Sequence, residues 1–253
     1  MPQRLVEIAS EYPGLLASLV KAKQEDPYTI FVRNGSYYLS FFDSEEPMKT
    51  EKAEQSADVL LANINAMLTL PPFKVAHALT RTNRIITLNE NGYEIGKNTL
   101  NIAARIRISP DFTNMDFSNF IEMEIKASKL SRIKQALRYY ADGFNWFNLY
   151  DVYECIRKDC QEMMGQAIPE QWTTDAKLRN RLDDFTESAN NAYISEYAAR
   201  HTYAESHEIE RINTTTVRIK ANGKEIMPMT MHEAGVFIEN LLMHWLKQRG
   251  ITF

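Results

Sequence analysis

Apolar residues recur at two different spacings along the chain, and the spacing changes near residue 110. Before that point, helical repeats alternate with runs rich in β-branched and aromatic residues, which are typical of strands. After Pro110 the strand signals stop, and apolar residues recur at three- and four-residue intervals. The pattern therefore predicts an α+β fold. Residues 1–112 are expected to form a small, mostly antiparallel sheet with helices, and residues 113–253 a helical bundle.

In the first half, the first element is predicted to be a helix that begins near Pro13. Two strands are predicted near residues 28–33 and 37–42, because they flank Asn34-Gly35, a dipeptide typical of a hairpin turn. A second helix is predicted from about Lys52 until Pro71-Pro72 ends it. More strands should follow, where alternate positions are apolar: Ile102, Ala104, Ile106 and Ile108.

The second half contains four amphipathic helical patterns in a row, which favour a bundle. They begin near Ser118, Asn145, Thr173 and Thr230, and the first has a break near residue 128. Thr230 and Glu233 have the spacing of a capping box. A long polar connection precedes the last helix, and its β-branched residues around Asn222-Gly223 predict an inserted hairpin near residues 212–228. Long connections of this kind are typical of functional or partner-binding segments.

Composition and charge narrow the possible partners. The 253 residues are 44% hydrophobic and carry a net charge of −4, so we expect no strong attraction of the whole chain to RNA or to an anionic membrane. The N-terminus does not have the pattern of a secretory signal, and no run reaches the roughly 18 apolar residues of a membrane span. We therefore expect a cytoplasmic protein that makes no membrane contact.

Cys155 and Cys160 are predicted to be reduced thiols. Five positions apart on a helix, they point to different sides, so they are not expected to form a disulfide with each other. Their spacing also does not match a zinc half-site. The sequence contains no nucleotide-binding glycine motif, serine-hydrolase motif or zinc-protease motif. We expect neither a metal nor a cofactor.

The stretch "EYAARHTYAESHEIERINTTT", residues 196–216, holds the candidate catalytic residues. Arg200, His201 and His207 lie close together where a helical pattern changes into a polar segment. One interpretation is a catalytic cluster. The other is the solvated end of a helix, where Arg200 and His201 interact favourably with the helix dipole. Three acidic neighbours oppose a phosphate backbone at this place: Glu205, Glu208 and Glu210.

The "RHTYAESH" motif and its helical context resemble the HEPN superfamily, over residues 118–249. That family carries an arginine, four to six intervening residues and a histidine at the junction of its last helices. The final "MTMHEAGVFIENLLMHWLKQ" also resembles the end of a broad group of uncharacterised bacterial proteins.

The resemblance implies a metal-independent endoribonuclease that acts as a homodimer, in a bacterial stress response or in defence against phage. RNA supplies its own nucleophile, the 2′-hydroxyl group, so such an enzyme needs only proton transfer and charge stabilisation. His207 would then move a proton, and Arg200 would hold the scissile phosphate. His201 would orient the phosphate or carry a second proton.

Two further interpretations compete with catalysis. Lys126, Lys129 and Arg132 could form a nucleic-acid-binding face, but their spacing favours a solvated helix face, because it does not keep every charge on one side. Alternatively, the chain is a non-catalytic interaction or assembly subunit. In that case the apolar face of the C-terminal helix, or the hairpin, binds a second copy or another protein.

Overall fold

The structure is a computed structural model of the chain, and its contacts divide the chain into two compact units between Lys129 and Leu130. The sequence pattern predicts a boundary after residue 112, whereas the observed division lies further along the chain, after helix-forming residues that include Lys129. The structure describes residues 3–12, 14–22, 28–41, 49–75, 78–88, 91, 94–98, 112, 115–165, 168, 176–190, 207–211, 217–221 and 224–252.

The first unit contains a five-stranded antiparallel sheet, in agreement with the predicted fold class. Its strand order is β2-β3-β1-β4-β5, and each neighbouring pair is antiparallel. The strands are β1 (Gln3–Ser10), β2 (Tyr28–Arg33), β3 (Ser36–Phe41), β4 (Leu79–Leu88) and β5 (Glu94–Asn98). The hairpin prediction is confirmed, because β2 and β3 pair on either side of Asn34 and Gly35, both of which have positive φ. The alternating residues 102–108 lie outside the described residues.

The expectation that a helix is the first element is wrong. Strand β1 precedes that helix and lies at the centre of the sheet, paired with both β3 and β4. Leu5, Val6 and Ile8 are all buried, so the strand lacks the alternation that marks a half-exposed strand. A short apolar run that is buried on both faces cannot be distinguished from a helix by its spacing alone.

The part of the first unit that the structure describes contains three helices: α1 (Leu15–Lys21), α2 (Thr50–Leu68) and α3 (Phe120–Lys129). Helix α2 packs against β1 and β4, and α3 packs against α2. The buried Glu124 of α3 accepts a hydrogen bond from the Tyr28 hydroxyl of β2 at 2.9 Å. This contact explains why α3 groups with the sheet, although the sequence pattern grouped it with the helices that follow.

Within its described residues, the second unit contains four helices: α4 (Ser131–Ala141), α5 (Trp146–Met164), α6 (Ala176–Asn190) and α7 (Met231–Gln248). Helix α5 packs against the other three, and Phe185 of α6 lies among aromatic rings of α5 and α7. The predicted caps are confirmed: the Asn145 side chain caps α5, and Thr230 and Glu233 form a capping box on α7. The predicted break near residue 128 corresponds to the junction of α3 with α4.

A three-stranded antiparallel sheet precedes α7, with the order β6-β7-β8. Its strands are β6 (His207–Arg211), β7 (Val217–Ala221) and β8 (Lys224–Ile226), so the predicted hairpin is present and β6 extends it. The chain that leaves β8 is attached to α6 by two hydrogen bonds. The Met227 N–H donates to Asp184 and the Met229 N–H donates to Ser188, each at 2.9 Å.

Candidate functional site

Of the three candidate catalytic residues, the structure describes only the backbone of His207. His207 is the first residue of β6 and lies opposite Ala221 of β7. Strands β7 and β8 separate it from α7 in the chain. Arg200 and His201 lie outside the described residues. The Arg200–His207 site therefore stays a prediction from the sequence.

The three candidate RNA-binding residues lie on two helices, one in each unit. Lys126 and Lys129 are exposed on α3, whereas Arg132 lies in the first turn of α4. The Arg132 guanidinium pairs with the Glu162 carboxylate of α5, and its Nε donates to Glu162 Oε2 at 3.2 Å. This hydrogen bond raises the pKa of Arg132 and offsets its charge. Arg132 is thus already engaged by a carboxylate of its own unit.

Two buried carboxylates have structural partners. In the first unit, the Glu124 carboxylate accepts hydrogen bonds from Tyr28 and from Asn63. The pKa of Tyr28 is raised, mainly by burial and to a smaller extent by the negative charge of Glu124. In the second unit, Asp159 accepts from Trp245 Nε1 at 2.7 Å and from Arg249 Nε at 2.9 Å. The latter contacts attach the end of α7 to α5.

The two cysteines do not form a nucleophilic site. The pKa of Cys155 is raised to about 11, mainly by burial and to a smaller extent by the negative charge of Asp151. The pKa of Cys160 is raised to about 12, mainly by burial and to a smaller extent by the negative charge of Asp159. Both thiols therefore stay protonated near neutral pH, and it is the thiolate that reacts. The described residues also contain no group of three or more His, Cys, Asp or Glu side chains that could hold a metal ion.

A small pocket lies between α1 and the turn before α3, with a volume of about 290 Å³. Its charged lining residues are Lys21 and Asp116. The Asp116 side chain accepts from the Ser118 N–H at 2.8 Å, and bonding to Ser118 lowers the pKa of this exposed carboxyl. A carboxylate held in its charged form in this way is a weak general base, so the pocket has no evident catalytic chemistry.

The turn between α4 and α5 is tightly constructed. Gly143 has a φ of 100°, which favours glycine, and its carbonyl accepts from the Asn148 side chain at 2.9 Å. The Asn145 side chain caps α5 by accepting from the Asn148 N–H at 2.8 Å. These bonds fix the backbone on both sides of Phe144.

Phe144 is positioned against α7 by a glycine. A Cβ atom added to Gly235 would lie 2.9 Å from two carbons of the Phe144 ring, so only glycine permits this approach. The Phe144 ring also makes an edge contact with Tyr140, at 5.3 Å between centroids. The Tyr140 hydroxyl in turn donates to Glu239 of α7 at 2.7 Å. The pKa of Tyr140 is raised, mainly by burial and to a smaller extent by this hydrogen bond to Glu239.

Although the turn is well fixed, its large apolar side chains face solvent. Phe144 is 49% exposed, Phe147 in the first turn of α5 is 47% exposed, and Val236, which follows Gly235, is 47% exposed. We call these three residues the Phe144 surface. Phe144 and Phe147 are three positions apart in the chain, and Val236 follows the glycine that the Phe144 ring approaches. Exposed aromatic residues are enriched at protein–protein interfaces, whereas single exposed apolar residues are common.

The apolar face of α7 is not available to a partner, which corrects one part of the sequence interpretation. This face packs inside the second unit against α5 and α6. Its buried residues are Ala234, Phe237, Ile238, Leu241, Leu242, Trp245 and Leu246. A partner at α7 would have to contact the opposite side, which carries Val236.

The sequence contained one signal for the Phe144 surface. Trp146, Leu149 and Tyr153 form the buried stripe of α5, and Phe147 does not belong to that stripe. An aromatic residue off the buried stripe of a helix is a candidate surface contact. The position of Phe144 could not be read in this way, because it depends on a glycine of α7 that is distant in the sequence.

Comparison with known proteins gives no relative. No protein-family model matches the chain, and no curated protein and no solved structure matches it. Among the helices of the described parts of the chain, none has the length and hydrophobicity that crossing a membrane requires.

Proposed function

We propose that the chain is a non-catalytic interaction subunit that binds another protein through the Phe144 surface, in a cytoplasmic assembly. One observation carries the proposal: two phenyl rings, each about half exposed, lie on the α4–α5 turn and on the first turn of α5, where hydrogen bonds fix the backbone. Burial of such rings by a partner removes apolar area from water without the entropic cost of ordering the turn.

The proposal is supported by the arrangement of the second unit. Asn145 and Gly143 fix the turn, Gly235 brings Phe144 onto α7, and Tyr140 bonds to Glu239. Exposed aromatic residues that are already ordered are the usual anchors of an interface, because little conformational freedom remains to be lost.

Affinity capture with matched variants tests this function. The tagged chain would be expressed in the cells that encode it, as wild type, as the Phe147→Ser/Val236→Ser double variant, and as Val59→Ser. Val59 on α2 is 41% exposed, so its replacement by serine removes about as much exposed apolar surface as Val236→Ser does, at another place.

We expect a protein that is retained by the wild type and by Val59→Ser and is lost from the double variant. All substituted side chains are exposed, so stability should change by less than about 0.5 kcal/mol per site. Unchanged thermal unfolding would verify this. Identical retained proteins for all three chains would contradict the proposal.

The spacing of Arg200, His201 and His207 favours a second candidate, the HEPN-like endoribonuclease that acts on RNA as a homodimer in bacterial stress response or phage defence. Its test is RNA cleavage in EDTA, with Arg200→Ala and His207→Ala beside the wild type. Products with 2′,3′-cyclic phosphate ends that are lost in both variants would establish it. Cleavage that persists in both variants would assign the activity to a contaminant.

A further inference from the structure

We propose that the small pocket between α1 and the turn before α3 binds a free amino acid with an apolar side chain. All its lining residues belong to the first unit, so the site does not depend on the Phe144 surface. Three observations carry the proposal: two opposite charges in the lining, the apolar character of most other lining residues, and the volume of the pocket.

The two charged lining residues have opposite signs, and neither forms an ion pair. Lys21 is the last residue of α1 and Asp116 lies in the turn before α3, and both are exposed. In the part of the chain that the structure describes, Asp116 bonds to Ser118 and the Lys21 ammonium has no partner. A ligand with both a carboxylate and an ammonium group would satisfy the two charges together.

Most of the other lining residues are apolar. They include Ala17 and Ala22 of the α1 side and Met115 and Phe117 of the turn, whereas Ser18 and Ser118 add hydroxyl groups. Pockets of this composition, apolar with a few polar groups, are typical of sites for small molecules. An apolar side chain on the ligand would remove part of this lining from water.

The volume of the pocket, about 290 Å³, selects a small ligand. It lies near the lower end of the range for small-molecule sites, about 300 to about 1,000 Å³, and equals the volume of about ten water molecules. A single amino acid has this size. A nucleotide is larger, and its phosphates would be repelled by Asp116, whereas a metal ion would be repelled by Lys21.

Both walls of the pocket are fixed without a ligand. In the turn before α3, the buried Phe117 stacks on Phe73 with 4.8 Å between ring centroids, and the Phe120 N–H donates to the Phe117 carbonyl at 3.0 Å. In α1, Leu15 and Leu19 are fully buried. A site that is already formed loses little conformational freedom when a ligand binds.

An NMR titration of the isotope-labelled full chain tests the site. The probe is L-leucine, and two matched compounds keep its apolar part: isocaproate lacks the ammonium group and isoamylamine lacks the carboxylate. Because both charged partners are exposed and the ligand is small, we expect a Kd of about 1 mM, so the titration would extend to about 10 mM.

We expect L-leucine to shift the amide signals of residues 17–22 and 115–118 until they saturate. Lys21→Gln and Asp116→Asn should each weaken its binding about twofold to fivefold, as the loss of one exposed charge pair does, and isocaproate and isoamylamine should be weaker by a similar factor. Glu122→Gln and Lys129→Gln remove exposed charges of either sign from α3 and should leave the affinity unchanged.

Three results would overturn the proposal: no saturable shift at these residues, equal affinity for the three compounds, or equal affinity for L-leucine in the wild type, Lys21→Gln and Asp116→Asn. Both substituted side chains are exposed, and asparagine can still accept from the Ser118 N–H, so the variants should fold. Unchanged amide signals outside the pocket would verify this.

Discussion

At the scale of single residues, the same kind of ion pair occurs in two different environments within the second unit. Asp159 is buried and bonds to Trp245 and Arg249, whereas the Arg132–Glu162 pair lies at the surface. Loss of one partner of a buried pair leaves the other without compensation, and an exposed pair contributes little because water replaces it. The two pairs should therefore differ strongly in their contribution to stability.

Asp159→Asn should lower the free energy of unfolding by about 3 kcal/mol, because the Arg249 guanidinium loses its carboxylate in a mostly buried place. Arg132→Gln, the matched surface change, should cost less than about 1 kcal/mol. Urea unfolding followed by tryptophan fluorescence measures both, since Trp146 and Trp245 lie in the second unit. Equal effects of the two substitutions would contradict the assignment of Asp159 as the anchor of α7.

The buried thiols predict a loss of stability at alkaline pH. In the folded chain the pKa values of Cys155 and Cys160 are raised from 9.0 to about 11 and about 12. Between about pH 9 and pH 11 the unfolded chain binds fewer protons than the folded one, so stability falls as the pH rises. By about pH 10 the loss should be about 1 kcal/mol per thiol.

The measurement is urea unfolding at about pH 8 and about pH 10, with Cys160→Ala beside the wild type. The variant should lose less stability between the two pH values, because it lacks one of the two thiols whose pKa is raised in the folded chain. A pH dependence of equal steepness in both chains would show that Cys160 does not contribute.

At the scale of elements, local patterns in the sequence predicted most of the helices and several of the strands. The caps at Asn145 and Thr230 and the Asn34-Gly35 hairpin are local signals, and the structure contains all three. Strands β1 and β6 were missed for different reasons. The pairing partners of β1 are distant in the sequence. Strand β6 pairs with the nearby β7, but the residues between them, 212–216, contain no turn dipeptide.

Gly235→Ala tests how α7 positions Phe144. Alanine favours a helix over glycine by about 1 kcal/mol, but its Cβ would lie 2.9 Å from the Phe144 ring. Because that ring is half exposed, it can move away, so the free energy of unfolding should change by less than about 1 kcal/mol.

Partner binding should nevertheless weaken in this variant, because the Phe144 ring leaves its place against Gly235. The affinity for the captured partner measures this effect. Gly165→Ala cannot serve as the control, because Gly165 has a positive φ and alanine would strain the backbone there. Val59→Ser serves as the control instead. Unchanged affinity in Gly235→Ala would show that the position of Phe144 is not important for binding.

At the scale of the whole molecule, the α+β fold class could be predicted from the sequence, whereas the candidate site could not. The fold class follows from periodicity, which is a property of neighbouring residues. The Phe144 surface depends on the packing of α7 against the α4–α5 turn, more than eighty positions apart in the chain. The prediction that a partner binds the apolar face of α7 was wrong for the same reason, since that face completes the core of the second unit.

Site-specific photo-crosslinking is the most direct test of the central claim, that the Phe144 surface binds another protein. A benzoyl-phenylalanine residue would replace Phe147 in one chain and Val59 in a control chain, and both would be irradiated in the cells that encode the protein. We predict a discrete covalent adduct with one other polypeptide at position 147 and none at position 59. The absence of an adduct at position 147, or the same adducts at both positions, would contradict the claim.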